Sequence, residues 1–118
     1  MNASNMTSGL LYRGEVESKR QTYYIYEGKR HFLVMSFSRA KRNAGNFNII
    51  NSSAVQYVLK RFAGKKAITA TALYKASRKP QYVASQLDAL NILYVLAATK
   101  QAKIDTRFKS KSLFFNIR

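Results

Sequence analysis

The stretch Ile68-Thr-Ala-Thr-Ala-Leu-Tyr-Lys-Ala-Ser77, followed by Arg78-Lys-Pro-Gln81 and Tyr82-Val-Ala-Ser-Gln-Leu-Asp-Ala-Leu90, decides how this chain is read. Thr69 or Thr71 suits the start of a short helix through Leu73, Tyr74 and Ala76, because a hydroxyl oxygen there accepts an otherwise orphaned amide hydrogen. Ser77-Arg-Lys-Pro80 breaks that helix. The residue before a proline is driven out of the α region, while proline itself can open the next helix. The spacing predicts that next helix over residues 80–99, with Val83, Leu87, Leu90, Tyr94 and Ala97 along one side. The opposite side changes from Gln81, Tyr82, Ser85, Asp88 and Ala89 to Ile92, Val95 and Leu96, the pattern of a helix exposed at its start and buried at its end.

Upstream of this stretch, Val55, Val58, Leu59 and Phe62 fall at helical spacing, with Ser52 or Ser53 as cap and Gly64 suited to a left-handed terminus. Downstream, residues 102–105 and 113–117 flank the basic turn 106–112 and read as a β-hairpin with a cationic tip. Towards the N-terminus the period changes to two. Residues 22–26 and 31–37 are rich in β-branched and aromatic side chains and are joined by Glu27-Gly-Lys-Arg30, a connection suited to a hairpin. Residues 11–17 supply a third strand, and residues 47–50 a short strand or an extended lead into the first helix. Residues 1–8 read as a disordered tail and residues 38–46 as a basic loop. The expected fold is α+β: a β-rich, antiparallel portion over residues 9–50, then three helices and a hairpin over residues 51–118, together one compact domain.

Composition bounds the function. The 118 residues hold 21 Lys and Arg against 5 Asp and Glu, a formal net charge of +16, with 47% hydrophobic residues. That supports one core and excludes the disordered class for most of the length. Without cysteine there is no disulfide framework, thiolate metal site or cysteine nucleophile, and one His with five acids leaves little for metal or acid–base chemistry. We therefore expect no cofactor, no metal and no catalysis. The longest apolar run, residues 87–98, is about half a bilayer span and contains Asp88 and Asn91. With no basic segment leading an apolar stretch at the start, the expectation is an intracellular protein, cytoplasmic or nucleoid-associated, without a membrane partner. Residues 1–59 carry net +5 and residues 60–118 net +11. A strong, uneven positive field points to a polyanion, and here to nucleic acid.

Taken together, three helices, the residues 68–90 quoted above and a basic hairpin over 102–118 resemble the winged helix-turn-helix superfamily of DNA-binding domains. The resemblance covers roughly residues 51–118. It implies a sequence-selective, transcription-regulating protein whose helix over residues 80–99 enters the major groove with its N-terminal residues at the base edges. Residue chemistry allows the same reading. Gln81, Ser85 and Gln86 offer short donor–acceptor groups, and a Gln amide can pair bidentately with adenine. Tyr82 can donate to a phosphate or pack on a sugar. Arg78, Lys79, Lys65, Lys66 and, on the hairpin, Arg107, Lys109 and Lys111 suit phosphate contacts, and Arg39, Lys41 and Arg42 form a further basic cluster.

Blander readings stand beside each of these: a solvated helix face for the Gln and Ser positions, a solvated turn for the cations, and strand core for Tyr23, Tyr24 and Tyr26. Duplex DNA is expected ahead of RNA. The alternatives are a structural RNA-binding protein of ribosomal type and the DNA-reading domain of a larger nuclease or recombinase. Glu15 or Glu17 followed by Glu27-Gly-Lys29 loosely mimics the acid and acid-x-Lys arrangement of Mg²⁺-dependent nucleases. Tyr and Phe on a small sheet also raise the expectation of a homodimer, consistent with the symmetry of many helix-turn-helix proteins.

Overall fold

A computed structural model describes residues 9–18, 21–37, 45–107 and 112–118. The expected tail 1–8, the basic loop with Arg39, Lys41 and Arg42, and the hairpin positions Lys109 and Lys111 lie outside the described residues. The first half is a four-stranded antiparallel meander, β1 (Leu11–Glu17), β2 (Thr22–Glu27), β3 (His31–Phe37) and β4 (Gly45–Asn51), in the order β1-β2-β3-β4. The turn joining β2 to β3 closes with the Gly28 N–H donating to the His31 carbonyl at 2.8 Å, as the Glu27–Arg30 stretch predicts.

The registers sort the side chains into two faces. Tyr23 lies opposite Ser36, Ile25 opposite Val34 and Phe32 opposite Ile50, and with Val16 these form the inner face. Tyr24 opposite Met35, Tyr26 opposite Leu33, and Leu33 opposite Ile49 form the outer face. Period-two alternation makes the two faces mutually exclusive along each strand.

Three helices follow: α1 (Ser52–Arg61), α2 (Ala70–Ser77) and α3 (Gln86–Ala98). They are followed by β5 (Ala102–Ile104) and β6 (Phe115–Ile117), which pair antiparallel in the expected hairpin. α3 runs through the middle of the molecule and packs against the sheet, α1 and α2. Eight of its 13 residues are buried, among them Ile92, Leu93, Val95 and Leu96. The inner face of the sheet, α1, α3 and β6 share one hydrophobic cluster, in which Ile25, Val58, Leu73, Leu93 and Phe115 are fully buried. At β1 a register shift brings Gly14 beneath α3. A Cβ there would meet the Ala98 carbonyl at 3.4 Å, and its φ of +139° suits only glycine.

Three expectations are corrected. The helix predicted over 80–99 begins at Gln86; residues 80–85 form a turn and an extended segment. Lys79 closes that turn, its carbonyl accepting from the Tyr82 and Val83 amides at 2.9 Å each, and Ser85 then takes an extended conformation as the true cap. Leu87, expected in the core, is 55% exposed. The cap of α1 is Asn51, at the end of β4, rather than a serine, and its side chain makes no capping hydrogen bond. Gly64 does take the left-handed conformation, with φ +82°. No helix among the described residues is long and apolar enough to cross a membrane.

Candidate nucleic-acid interface

α2 is the most exposed of the three helices, burying only Leu73 and Ser77. Its start is fixed by the Thr69 hydroxyl, which accepts from the Ala72 N–H at 3.1 Å, as the sequence predicts. Its end is fixed by Tyr57 on α1, whose hydroxyl donates to the Ser77 carbonyl at 2.7 Å. Arg78 follows in the left-handed region, φ 52°, where a glycine is the usual occupant. Tyr82 stacks on Tyr57 with ring centroids 4.8 Å apart, so the basic turn is pinned to α1 at both ends. This gives the half-buried ring of Tyr82 a packing role on α1, beside the phosphate or sugar contact expected of it from sequence. Lys75, Arg78 and Lys79 converge with Tyr74 and Pro80 on a shallow depression of about 300 Å³. Gln81 is exposed in the turn.

The start of α3 presents a second surface. The Ser85 hydroxyl accepts from the Asp88 N–H at 3.1 Å, which commits its acceptor side to capping. Gln86, at the first helical position, is exposed and lines a cleft of about 690 Å³ together with Leu87, Thr69, Thr71, Tyr23 and Ser112. The cleft lies between the starts of α2 and α3, the second strand of the hairpin and the β1–β2 connection. Tyr23 stacks at 4.3 Å on Tyr94, whose phenol is pushed up by burial, then by the neighbouring Tyr23. From sequence Thr71 reads as a candidate cap and Leu87 as core, and none of Thr71, Leu87 and Lys75 is expected at the interface. Ser85-Gln-Leu-Asp88 carries the signal that locates the cap, a hydroxyl residue followed three positions later by an acid.

The base of the hairpin is held by polar contacts. Arg107 donates to both Asp105 carboxylate oxygens, Nε to Oδ1 at 2.9 Å and Nη2 to Oδ2 at 2.6 Å. Asn116 Nδ2 donates to Asp105 Oδ2 at 3.2 Å, and its Oδ1 accepts from the Ala67 N–H at 2.8 Å. Hydrogen bonding from the Arg107 guanidinium is the main reason the Asp105 carboxyl sits well below the usual carboxylate range. Arg107, expected at a phosphate, is thus engaged with Asp105 at the root of the hairpin. The segment carrying Lys65 and Lys66 lies along β6: the Ile117 N–H donates to the Lys65 carbonyl at 2.8 Å, and Ile68 and Phe115 exchange hydrogen bonds of 2.9 and 2.8 Å. Lys65 and Lys66 are exposed.

All eleven described Lys and Arg residues from Lys60 onward are exposed. Among the described residues, Arg107 alone of these forms an ion pair with a carboxylate. Lys65 and Lys66 are therefore brought beside the hairpin, Arg78 and Lys79 beside Lys75, and Gln86 beside Thr71, while Gln81 and Ser85 stand apart from that cleft. The acidic constellation does not converge. Glu15 lies opposite Tyr24, three residues or about 10 Å along the strand from Glu27 and on the other face, and Glu27 pairs with Arg13 at 3.5 Å. No group of three or more His, Cys, Asp or Glu side chains that could hold a metal occurs among the described residues. No protein-family model, no curated protein sequence and no solved structure matches the chain.

Proposed function

We propose that this chain binds duplex DNA in a sequence-selective, regulatory role, in the manner of a winged helix-turn-helix. The observation that carries this reading is an order of elements. α1 leads to an extended segment at Ile68, then to α2, α3 and the β5–β6 hairpin, and Ile68 forms a single antiparallel bridge to Phe115 at the edge of that two-stranded hairpin. On this reading α2 and α3 are the paired helices and the hairpin is the wing. Lys65, Lys66, Lys75, Arg78 and Lys79 contact phosphates, which sets position and supplies affinity without reading sequence. Base reading falls to the first turn of α3, because the rest of that helix is buried. Gln86 suits the paired donor and acceptor of adenine, and exposed Leu87 beside it suits a thymine methyl.

The test is selection of binding sites from a random duplex library, followed by anisotropy titration of the enriched site, a scrambled duplex and a structured RNA. An enriched motif with Gln86→Ala narrowing the gap between enriched and scrambled duplex supports the reading. A preference for the RNA, or no duplex binding at low salt, overturns it.

A further inference from the structure

The outer face of the four-stranded sheet is apolar, and no helix among the described residues packs on it. Tyr12, Phe37, Phe47 and Ile49 on it are 43–61% exposed, which makes four of the seven exposed large hydrophobic residues among the described residues members of one surface. Between them Leu33 and Met35 are each 4% exposed, yet neither belongs to the main hydrophobic cluster. Tyr12 packs on Tyr26 at 5.3 Å and Tyr24 on Phe37 at 6.3 Å, two ring pairs on the same face as Leu33 and Met35. Contiguous apolar surface of this kind on a monomer marks an interaction site.

We propose that this face docks a second copy of the same chain, the two sheets stacking face to face in a symmetric dimer. Two observations select that occupant. The first is charge. By register Glu15 and Glu17 lie on this face, and among the described strand residues no unpaired Lys or Arg joins them, since Arg13 at the bulge pairs with Glu27. A polyanion would meet carboxylates here and gain no counter-charge. A second chain carrying +16, by contrast, approaches with least repulsion through this surface.

The second is area. Four strands of six or seven residues give a footprint of roughly 20 by 20 Å, hence about 400 Å² per copy and about 800 Å² in all. That lies below the standard size for a stable complex, in the range of weak and transient interfaces, and fits a dimer that dissociates in the micromolar range or above. Sheets stack at about 10 Å with inner side chains interdigitated, an arrangement to which the exposed Tyr12, Phe37, Phe47 and Ile49 lend themselves.

Sedimentation equilibrium of the purified chain between about 1 and about 100 µM tests the proposal, since an interface of this area dissociates in that range. The expected result is a monomer–dimer transition, lost in Ile49→Glu and in Phe47→Glu with far-UV circular dichroism unchanged, and retained in Leu87→Glu, which alters an exposed apolar residue elsewhere. Because the chain has no cysteine, a nitroxide on Ile49→Cys reports the geometry even if the glutamate variants unfold. Stacked sheets place the two labels roughly 10–25 Å apart. A wild-type monomer throughout the range, or a dimer untouched by the face substitutions, overturns the proposal. Binding of oligo(dT) that Ile49→Glu abolishes would assign the face to single strands and overturn it equally. None of these outcomes depends on the DNA reading, which concerns the opposite half of the chain.

Discussion

Along β2 and β3 the outward positions run Tyr24, Tyr26, Leu33 and Met35, while from Lys60 to Arg118 every described Lys and Arg is exposed to solvent. The two regions share one core but present surfaces of opposite material. The difference separates two driving forces. Association through the sheet removes apolar area from water and is insensitive to salt, or strengthened by excluded salts. Association through the basic surface releases counterions and weakens steeply as salt rises. A salt titration should therefore dissociate nucleic acid while leaving any self-association in place.

The largest effect expected concerns the shared core. Ile92 on α3 is fully buried within the cluster that joins the sheet to the helices. Ile92→Ala should destabilise the protein by about 2–5 kcal/mol. Tyrosine near-UV and helical far-UV signals should shift together in denaturant. Survival of one signal after loss of the other would break the comparison, making the two regions separate folding units.

The next effect concerns the basic surface. Replacing Lys65, Lys66, Arg78 and Lys79 together by Ala should lower the slope of log K against log salt by about 3–4, at roughly 0.9 per phosphate contact, with scrambled and selected duplexes affected alike. The same variant should sediment as the wild type does. If its slope is unchanged, the phosphates lie elsewhere on the surface.

How far the sequence foretold this arrangement depends on the kind of signal. The strands were legible because residues 22–26 and 31–37 are rich in aromatic and β-branched side chains around a glycine-containing connection, and the hairpin because residues 102–105 and 113–117 flank a basic turn. The start of α3 was misread. Pro80 satisfies the rule for a first helical residue, but the stacking of Tyr82 on Tyr57 holds residues 79–83 as a single turn, and no local signal announces a contact 25 positions away. Ser85-Gln-Leu-Asp88 did announce the cap and competes with Pro80 for the same role. At the site, the exposed positions of Lys65, Lys66, Arg78, Lys79, Gln81 and Gln86 follow from their polarity. The engagement of Arg107 by Asp105, and the convergence of Gln86 with Thr71 and Ser112, are tertiary facts that periodicity does not carry.

Asp105 offers a pH-dependent test of the hairpin root. Its carboxyl is depressed in the folded chain, chiefly by hydrogen bonding from Arg107. A depressed carboxyl contributes stability above its unfolded value of about 3.9, and that contribution fades as pH falls through this value towards the lower folded one. Asp105→Asn should therefore be less stable than wild type at neutral pH, and the two unfolding midpoints should converge as the solution is acidified below about pH 4. Parallel midpoints across the whole range would show that the contact contributes nothing.

A smaller gain is expected at Asn91, which is 1% exposed and whose Nδ2 has no hydrogen-bond partner among the described residues. Removing a buried unsatisfied donor recovers about 1–3 kcal/mol of desolvation, reduced here by any repacking needed for the branched side chain. Asn91→Leu should raise the unfolding free energy measured by denaturant titration by about 1 kcal/mol without altering sedimentation or DNA affinity. A fall in stability would mean that the amide is satisfied by a group its surroundings supply.

The smallest effect separates stability from binding at one residue. Arg78 ends α2 with φ 52°, a conformation that disfavours every L side chain relative to glycine by roughly 1 kcal/mol. Its guanidinium forms no ion pair with a carboxylate among the described residues, so retention of arginine at a strained cap is not explained by the fold itself. Strain held at such a position is expected where the side chain serves an outside partner. Arg78→Gly should stabilise the protein by about 0.5–1 kcal/mol, since the left-handed cap becomes relaxed. It should also weaken binding to all duplexes and lower the salt slope by about 0.9, the value of one phosphate contact. Arg78→Ala, which keeps the strain and loses the charge, should show the binding defect without the gain in stability. If glycine stabilises the chain and leaves both affinity and salt slope intact, Arg78 has no phosphate partner and the basic turn lies outside the interface.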